Sequence, residues 1–232
     1  MAELSRRELL QAAAVGGVFV AAGEIDAQQR ATGSMTDFHH QPVPLPFDAK
    51  SLRGLSERLV ASHWENNYIG AVKALNVVRD KLRQALATDE PPYLYNDLKR
   101  EHLMRTGSVV LHELYFANLG GNSRPSAETR AELSRAFVSF DAWETEFRKI
   151  GLGLSGGSGW VVLGYNVQLK ALENYWLADH GHHPADTRPV LVLDMYEHAY
   201  HMDYGAAAAK YVDAFFANIQ WEVVAARLAA SA

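Results

Sequence analysis

An α+β fold, with an N-terminal helical hairpin followed by an α/β domain that carries a small antiparallel sheet of about three strands, is predicted by three features of the 232-residue chain. Apolar residues recur at helical spacing up to about residue 118. Short β-like apolar runs appear only beyond the glycines at 151–157, and helical spacing returns from Ala206. The chain shows neither an internal repeat nor a long low-complexity tract.

Residues 1–33 read as an export signal with a spacer. Arg6 and Arg7 precede an apolar run from Ala12 to Ala22, and polar residues follow to Gly33. A charged start, a short apolar stretch and polar flanks make a signal of the twin-arginine kind. The apolar stretch is too short to span a bilayer, and the small-residue cleavage pattern is only weakly present around Ile25-Asp26-Ala27. A retained amphipathic helix is the alternative reading. The expected location is the bacterial periplasm or the medium, with no membrane association once the signal is removed.

Residues 34–50, with Gln41-Pro-Val-Pro-Leu-Pro46, form an extended arm. Residues 51–122 form the hairpin. Ser56 is placed to cap a helix that runs to about Leu86, Pro91-Pro92 stops it, and a second helix covers Leu98 to Asn118 before Gly120-Gly121. Residues 123–232 form the α/β domain. Ser126 and Ser139 cap two shorter helices, the second closing near Gly151. Strands are expected at Trp160 to Gly164, Leu169 to Trp176 and Val190 to Leu193, and the tail from Ala206 to Leu228 is helical.

Composition narrows the chemistry. With 22 Lys and Arg against 27 Asp and Glu the net charge is -5, which argues against nucleic acid as a partner. Cysteine is absent, so disulfides, zinc-finger spacings, iron–sulfur ligation and thiol nucleophiles are excluded together. A transition metal would have to be held by His, Asp or Glu. Of the ten histidines, His63 and His112 sit within apolar-periodic stretches of the two hairpin helices. Asp194 ends an apolar strand, and His198 follows four residues on, the spacing that places two side chains on one face if a helical turn begins there. Either helix histidine alone would more often be a satisfied core residue. Together with the Asp/His pair they make a set of three imidazoles and one carboxylate that suits iron, manganese or zinc with one position open.

Ser62-His63 with Val72 and Leu75-Asn76, the segment His112 to Phe116, Gly157-Ser158-Gly159-Trp160, Phe140-Asp141-Ala142-Trp143 and above all Asp194-Met-Tyr-Glu-His-Ala-Tyr200 resemble the iron/manganese superoxide dismutase family. The last motif matches the family signature except that its Trp is Tyr196, and the likeness spans roughly residues 45 to 230. The resemblance implies one iron or manganese ion per subunit held by His63, His112, Asp194 and His198 with a solvent molecule. It also implies a reaction in which the metal alternates between +3 and +2 as one superoxide becomes dioxygen and a second becomes hydrogen peroxide. A homodimer or higher homo-oligomer follows as well, in which Glu197 reaches a metal-ligating histidine of the partner subunit. Trp160 matches a tryptophan packed beside the metal.

Around the ligands the chain departs from the family. The gateway tyrosine position, eight residues after His63, is Ala71. The family's histidine at +4 and the second tyrosine of its signature, which pair across the dimer, are here Asn67 and His201, and an amide can still hydrogen-bond an imidazole. Tyr68 is the nearest alternative occupant of the substrate funnel, although on a regular helix it points about 100° away from residue 67. His180, in Ala178-Asp179-His180, is the candidate to hydrogen-bond metal-bound solvent, and Ser108 stands at the other location of that function. His182 and His183 fit a solvated loop, with adventitious metal binding as the rival reading. His39, His40 and His102 are assigned to the surface, and Trp143, Tyr175, Trp176, Tyr196 and Trp221 to the core. Dismutation of superoxide is the leading reading. A metal-binding or structural protein on the same scaffold, with the gate lost, is the alternative.

Overall fold

In the computed structural model, residues 39–121 and 124–231 are described, and the twin-arginine-like segment lies outside them. Residues 40–232 form one compact unit. Helix α1 (Glu57–Ser62) is capped as the sequence predicts, by Ser56 Oγ accepting from Leu59 N. It runs into a π-helical turn (His63–Tyr68) and on into α2 (Ile69–Ala87). Helix α3 (Pro92–Ala117) begins about six residues before the expected start. Pro92 occupies its first turn, where the missing N–H has no intrahelical partner to lose, so the proline pair starts this helix as well as ending the one before.

Beyond the hairpin, α4 (Ala127–Phe137) and α5 (Phe140–Gly153) carry the predicted serine caps. The sheet has the order β2-β1-β3, with β1 (Trp160–Asn166) central and antiparallel to both β2 (Ala171–Leu177) and β3 (Thr187–Asp194). The register sets Trp160 opposite Asp194 on one side and Leu177 on the other. One end of the sheet therefore gathers Trp160, the start of the His180 loop and the last residue of β3. Gly159, at φ +138°, lets the chain enter β1 close against the Leu177 carbonyl, where a Cβ would collide.

A 3₁₀ turn (Glu197–Ala199) and a short helix α6 (His201–Tyr204) follow β3. The single expected tail helix is two helices, α7 (Ala208–Ala217) and α8 (Trp221–Ser231), broken where Gln220 N donates to the Asn118 carbonyl. Satisfying a main-chain oxygen at the end of α3 outweighs continuing the helix. Val161, Val162, Leu191, Leu193, Trp143, Phe147 and Phe215 are buried in a core shared by sheet and helices. Trp143 and Trp221 are buried in it as predicted, and Trp160 is buried as well, but Trp176 is 59% exposed, because β2 is an edge strand and its alternation turns that ring to solvent. Among the described residues, no helix is long and apolar enough to cross a membrane.

Candidate metal centre

His63 opens the π turn, whose buried residues are His63 and Tyr68. The wider turn pairs residues five apart, so Tyr68 shares the buried face of His63, contrary to its direction on a regular helix. Its hydroxyl donates to Glu113 Oε1 at 2.7 Å and accepts from Val43 N at 2.7 Å. Burial and the neighbouring Glu113 carboxylate raise its pKa, and the Val43 N–H opposes them. His40 belongs to this cluster and not to a bare surface: its Nε2 lies 2.5 Å from Glu113 Oε1. Ala71 is buried in the core.

His112 lies five residues from the end of α3. Its Nδ1 donates to the Ser108 carbonyl at 2.7 Å, which leaves Nε2 as the lone-pair nitrogen aimed into the centre. Helix α3 is set against β3 by Asn118, fully buried, whose Nδ2 donates to the Val192 carbonyl at 2.7 Å while Arg227 donates to its Oδ1 at 2.6 Å. Two residues beyond Val192 stands Asp194. Its Oδ1 accepts from Tyr196 N at 2.8 Å, and its main-chain oxygen accepts from the Tyr211 hydroxyl at 2.6 Å. Sequence reasoning missed Asn118 and Tyr211. The only local signal was a polar side chain on an otherwise apolar helical face.

The four predicted ligands converge. Ligand atoms of His63, His112, Asp194 and His198 all lie within 4.8 Å of one another. Asp194 Oδ2 is 3.2 Å from His63 Nε2, 3.6 Å from His112 Nε2 and 3.2 Å from His198 Nε2. His198 reaches it from the 3₁₀ turn after the strand, so the four-residue spacing works without an α-helix. The nitrogens His63 Nε2 and His112 Nε2 are buried with no hydrogen-bond partner. Two buried imidazole nitrogens left without a proton partner beside a buried carboxylate would cost several kcal/mol, ~1–3 for each group. A cation at their common focus resolves that, and three nitrogens with one oxygen are a donor set for iron or manganese.

The electrostatics point the same way. Burial lowers the His63 pKa against the opposing pull of Asp194. Burial, aided by His63, lowers that of His112 to about 3, so both are neutral and able to ligate. Burial would raise the Asp194 pKa, but the His198 and His63 imidazoles outweigh it and hold the carboxyl well below the usual range.

Trp160 packs edge-on against His112, centroids 5.1 Å apart, and its Nε1 donates to His180 Nδ1 at 3.0 Å. His180 is therefore the tautomer with its proton on Nε2, and burial lowers its pKa. Asn67 is half-buried on the π turn, and Glu197, which opens the 3₁₀ turn, and His201, which opens α6, are exposed. Ser108 is buried, its Oγ 3.4 Å from His112 Nδ1. His182 and His183 sit on the exposed loop, His182 Nδ1 2.9 Å from Asp179 Oδ1. His39 is exposed, and His102 is half-buried.

Residues 125–227 match the family model of the iron/manganese superoxide dismutases, C-terminal domain. The chain is 48% identical over 192 residues to an iron superoxide dismutase of Cupriavidus metallidurans, covering 83% of this chain and 98% of that one. It is 32% identical over 183 residues to an iron superoxide dismutase of Aquifex aeolicus, with 75% and 84% of the two chains covered. A manganese superoxide dismutase of Mycobacterium intracellulare is 32% identical over 181 residues, 76% and 86% of the respective lengths. A helical region leading into a three-stranded antiparallel sheet, a largely buried His₃Asp focus and relatives matched over 84–98% of their length identify the chain as a member of the iron/manganese superoxide dismutase family of oxidoreductases.

Proposed function

We propose that the chain dismutes superoxide at one iron or manganese ion held by His63, His112, Asp194 and His198. The observation that carries this is the pair of orphaned Nε2 atoms of His63 and His112 facing the Asp194 carboxylate. When bound, the ion would supply the electron exchange between its +3 and +2 states, taking one electron from a superoxide released as dioxygen and passing it, with two protons, to a second released as hydrogen peroxide. The protein's own work is to keep the His63 and His112 imidazoles neutral, to hold the Asp194 carboxylate ionised and to offer a proton donor. His180 is that donor: Trp160 occupies its Nδ1, so its Nε2–H is free to hydrogen-bond solvent in the pocket. Asn67, half-buried one turn after His63, supplies an amide at the funnel wall in place of the family's histidine.

The chain works as a homodimer or larger homo-oligomer in which Glu197 and His201, both exposed in the single subunit, are covered by the partner. It is exported by the twin-arginine route to the periplasm or the medium, on the strength of Arg6-Arg7 and the apolar run from Ala12 to Ala22.

Elemental analysis of the purified chain beside a superoxide-removal assay tests the central claim. Near-stoichiometric iron or manganese with fast turnover is expected. Stoichiometric metal with no turnover would mean that the loss of a tyrosine at position 71 has silenced the scaffold. Glu197→Ala should weaken the oligomer on sedimentation and lose metal together, and an intact oligomer with full metal would remove that role. Arg6→Lys with Arg7→Lys should trap the precursor in the cytoplasm, and unchanged export would exclude the twin-arginine route.

A further inference from the structure

Tyr196 replaces the tryptophan of the family motif, and its surroundings differ from those of a core aromatic. Its ring stacks on His180 with centroids 4.6 Å apart and planes 7° apart, and on His198 at 5.3 Å and 22°. One phenol thus touches both the candidate proton donor and a candidate ligand. Its hydroxyl lies against the Ser158 hydroxyl and the His180 main chain, interactions that partly offset the effect of burial, which with Asp194 and Asp179 pushes its pKa to about 12. Ser158 in turn donates to the Ala178 carbonyl at 3.2 Å, two residues before His180.

An imidazole is oriented only when both a point in its plane and the plane itself are fixed. The Trp160 Nε1–H fixes the point at Nδ1, but a single hydrogen bond leaves the ring free to swing about the line joining the two nitrogens. The near-parallel stack on Tyr196 removes that swing. The backbone is fixed separately: the His180 carbonyl lies directly on Gly107 of α3, where any Cβ would overlap it. Turn geometry comes from Asp179, whose Oδ1 accepts from Gly181 N at 2.7 Å.

We infer that Tyr196 is a positioning residue for the reaction, its ring clamping the His180 imidazole face so that Nε2–H is held in one direction beside the metal centre. The inference rests on the reading of His180 as the donor to metal-bound solvent, and the test separates the two.

Tyr196→Leu, His180→Ala, the double variant and Tyr196→Phe are made in the full chain and loaded with metal. Superoxide turnover, the midpoint potential of the bound metal and the Kd for azide are read for each. Tyr196→Leu should lower turnover about tenfold and move potential and azide affinity in the same direction as His180→Ala. In the His180→Ala background the same substitution should change neither further, because its effect passes through the imidazole. Tyr196→Phe keeps the stack and should hold potential close to that of the parent.

Equal shifts from Tyr196→Leu in both backgrounds would overturn the inference while leaving the role of His180 standing. An unchanged potential in His180→Ala would overturn the donor reading and the inference with it. Should the Leu variant fail to take up metal, Tyr196→Phe decides: a potential and turnover as far displaced as in His180→Ala would show that the ring stack does not hold the imidazole.

Discussion

The two halves of the metal centre are built differently. His63 comes from the π turn between two helices and His112 from the last third of α3, and they are 2% and 1% exposed. Asp194 and His198 come from a strand end and the single turn that follows, and the His198 side chain is 24% exposed. A helix positions a side chain by the regularity of many hydrogen bonds along it. A strand end has no such redundancy. Asp194 is instead fixed by Tyr196 N on its carboxylate, by Tyr211 on its carbonyl and by the register with Trp160. The helical pair is held by packing between elements, whereas Asp194 is held by the hydrogen bonds made to it.

The strongest way to break that distinction is to remove one member from each side. Asp194→Ala takes away the carboxylate shared by all three imidazoles and should reduce bound metal from near-stoichiometric to below about a tenth of that, with activity lost in proportion. His198→Ala removes a partly exposed group that solvent can in part replace, so it should retain more metal than Asp194→Ala. Elemental analysis of the two variants in parallel decides the order, and equal metal in both would mean that burial does not set the hierarchy.

Acid titration of the metal-free chain sharpens the comparison next. The helix histidines have folded pKa values depressed mainly by burial, that of His112 to about 3. Because the unfolded chain binds their protons near the ordinary value of about 6.5 while the folded one does not, stability is full above that pH and is lost as pH falls from there toward 3. The Asp194 carboxyl, held low, adds a second loss only as pH falls below the ordinary carboxylate value and through its folded pKa. Urea midpoints measured between pH 7 and pH 4 should therefore fall, and His112→Phe should flatten part of that slope. A midpoint independent of pH over this interval would contradict the buried neutral state.

How much of this was legible in the chain depended on how local the cause was. The serine caps at Ser56, Ser126 and Ser139, the segregation of helices from strands and the four positions His63, His112, Asp194 and His198 whose side chains converge could all be read, because each rests on neighbours within one element or on a motif. The early start of α3 could not be separated from the stop before it, since one proline pair serves both. Tyr68 was misdirected because nothing in His63-Trp-Glu-Asn-Asn-Tyr68 announces a π turn. His40 on Glu113 and Asn118 on the Val192 carbonyl join residues 73 and 74 positions apart, and no pattern of apolar spacing encodes a single long-range polar contact.

Asn118 is the contact through which the helical half holds the strand-end half. Its amide donates to the Val192 carbonyl and accepts from Arg227 in a fully buried setting. Asn118→Ala removes the side-chain donor to the Val192 carbonyl and one of the acceptors of Arg227, which keeps the Val190 and Leu114 carbonyls, and should cost about 1–3 kcal/mol, read by urea denaturation, with bound metal falling because this link between α3 and β3 is lost. Stability lost with metal retained would show that β1 alone keeps Asp194 in place.

The smallest effect tests the other seam. Ser56 caps α1 through Leu59 N, and also gives its N–H and its hydroxyl to the two carboxylate oxygens of Asp203, each at 2.7 Å, at the end of the segment that bears His198. Ser56→Ala should cost about 1 kcal/mol, the usual value of a cap, and Asp203→Ala somewhat less, since that carboxylate is exposed. The hydroxyl bond is common to both single changes, so the double variant should lose less than their sum by a few tenths of a kcal/mol. Strict additivity would mean that the cap and the seam are independent, and that the His198 turn takes its position from β3 alone.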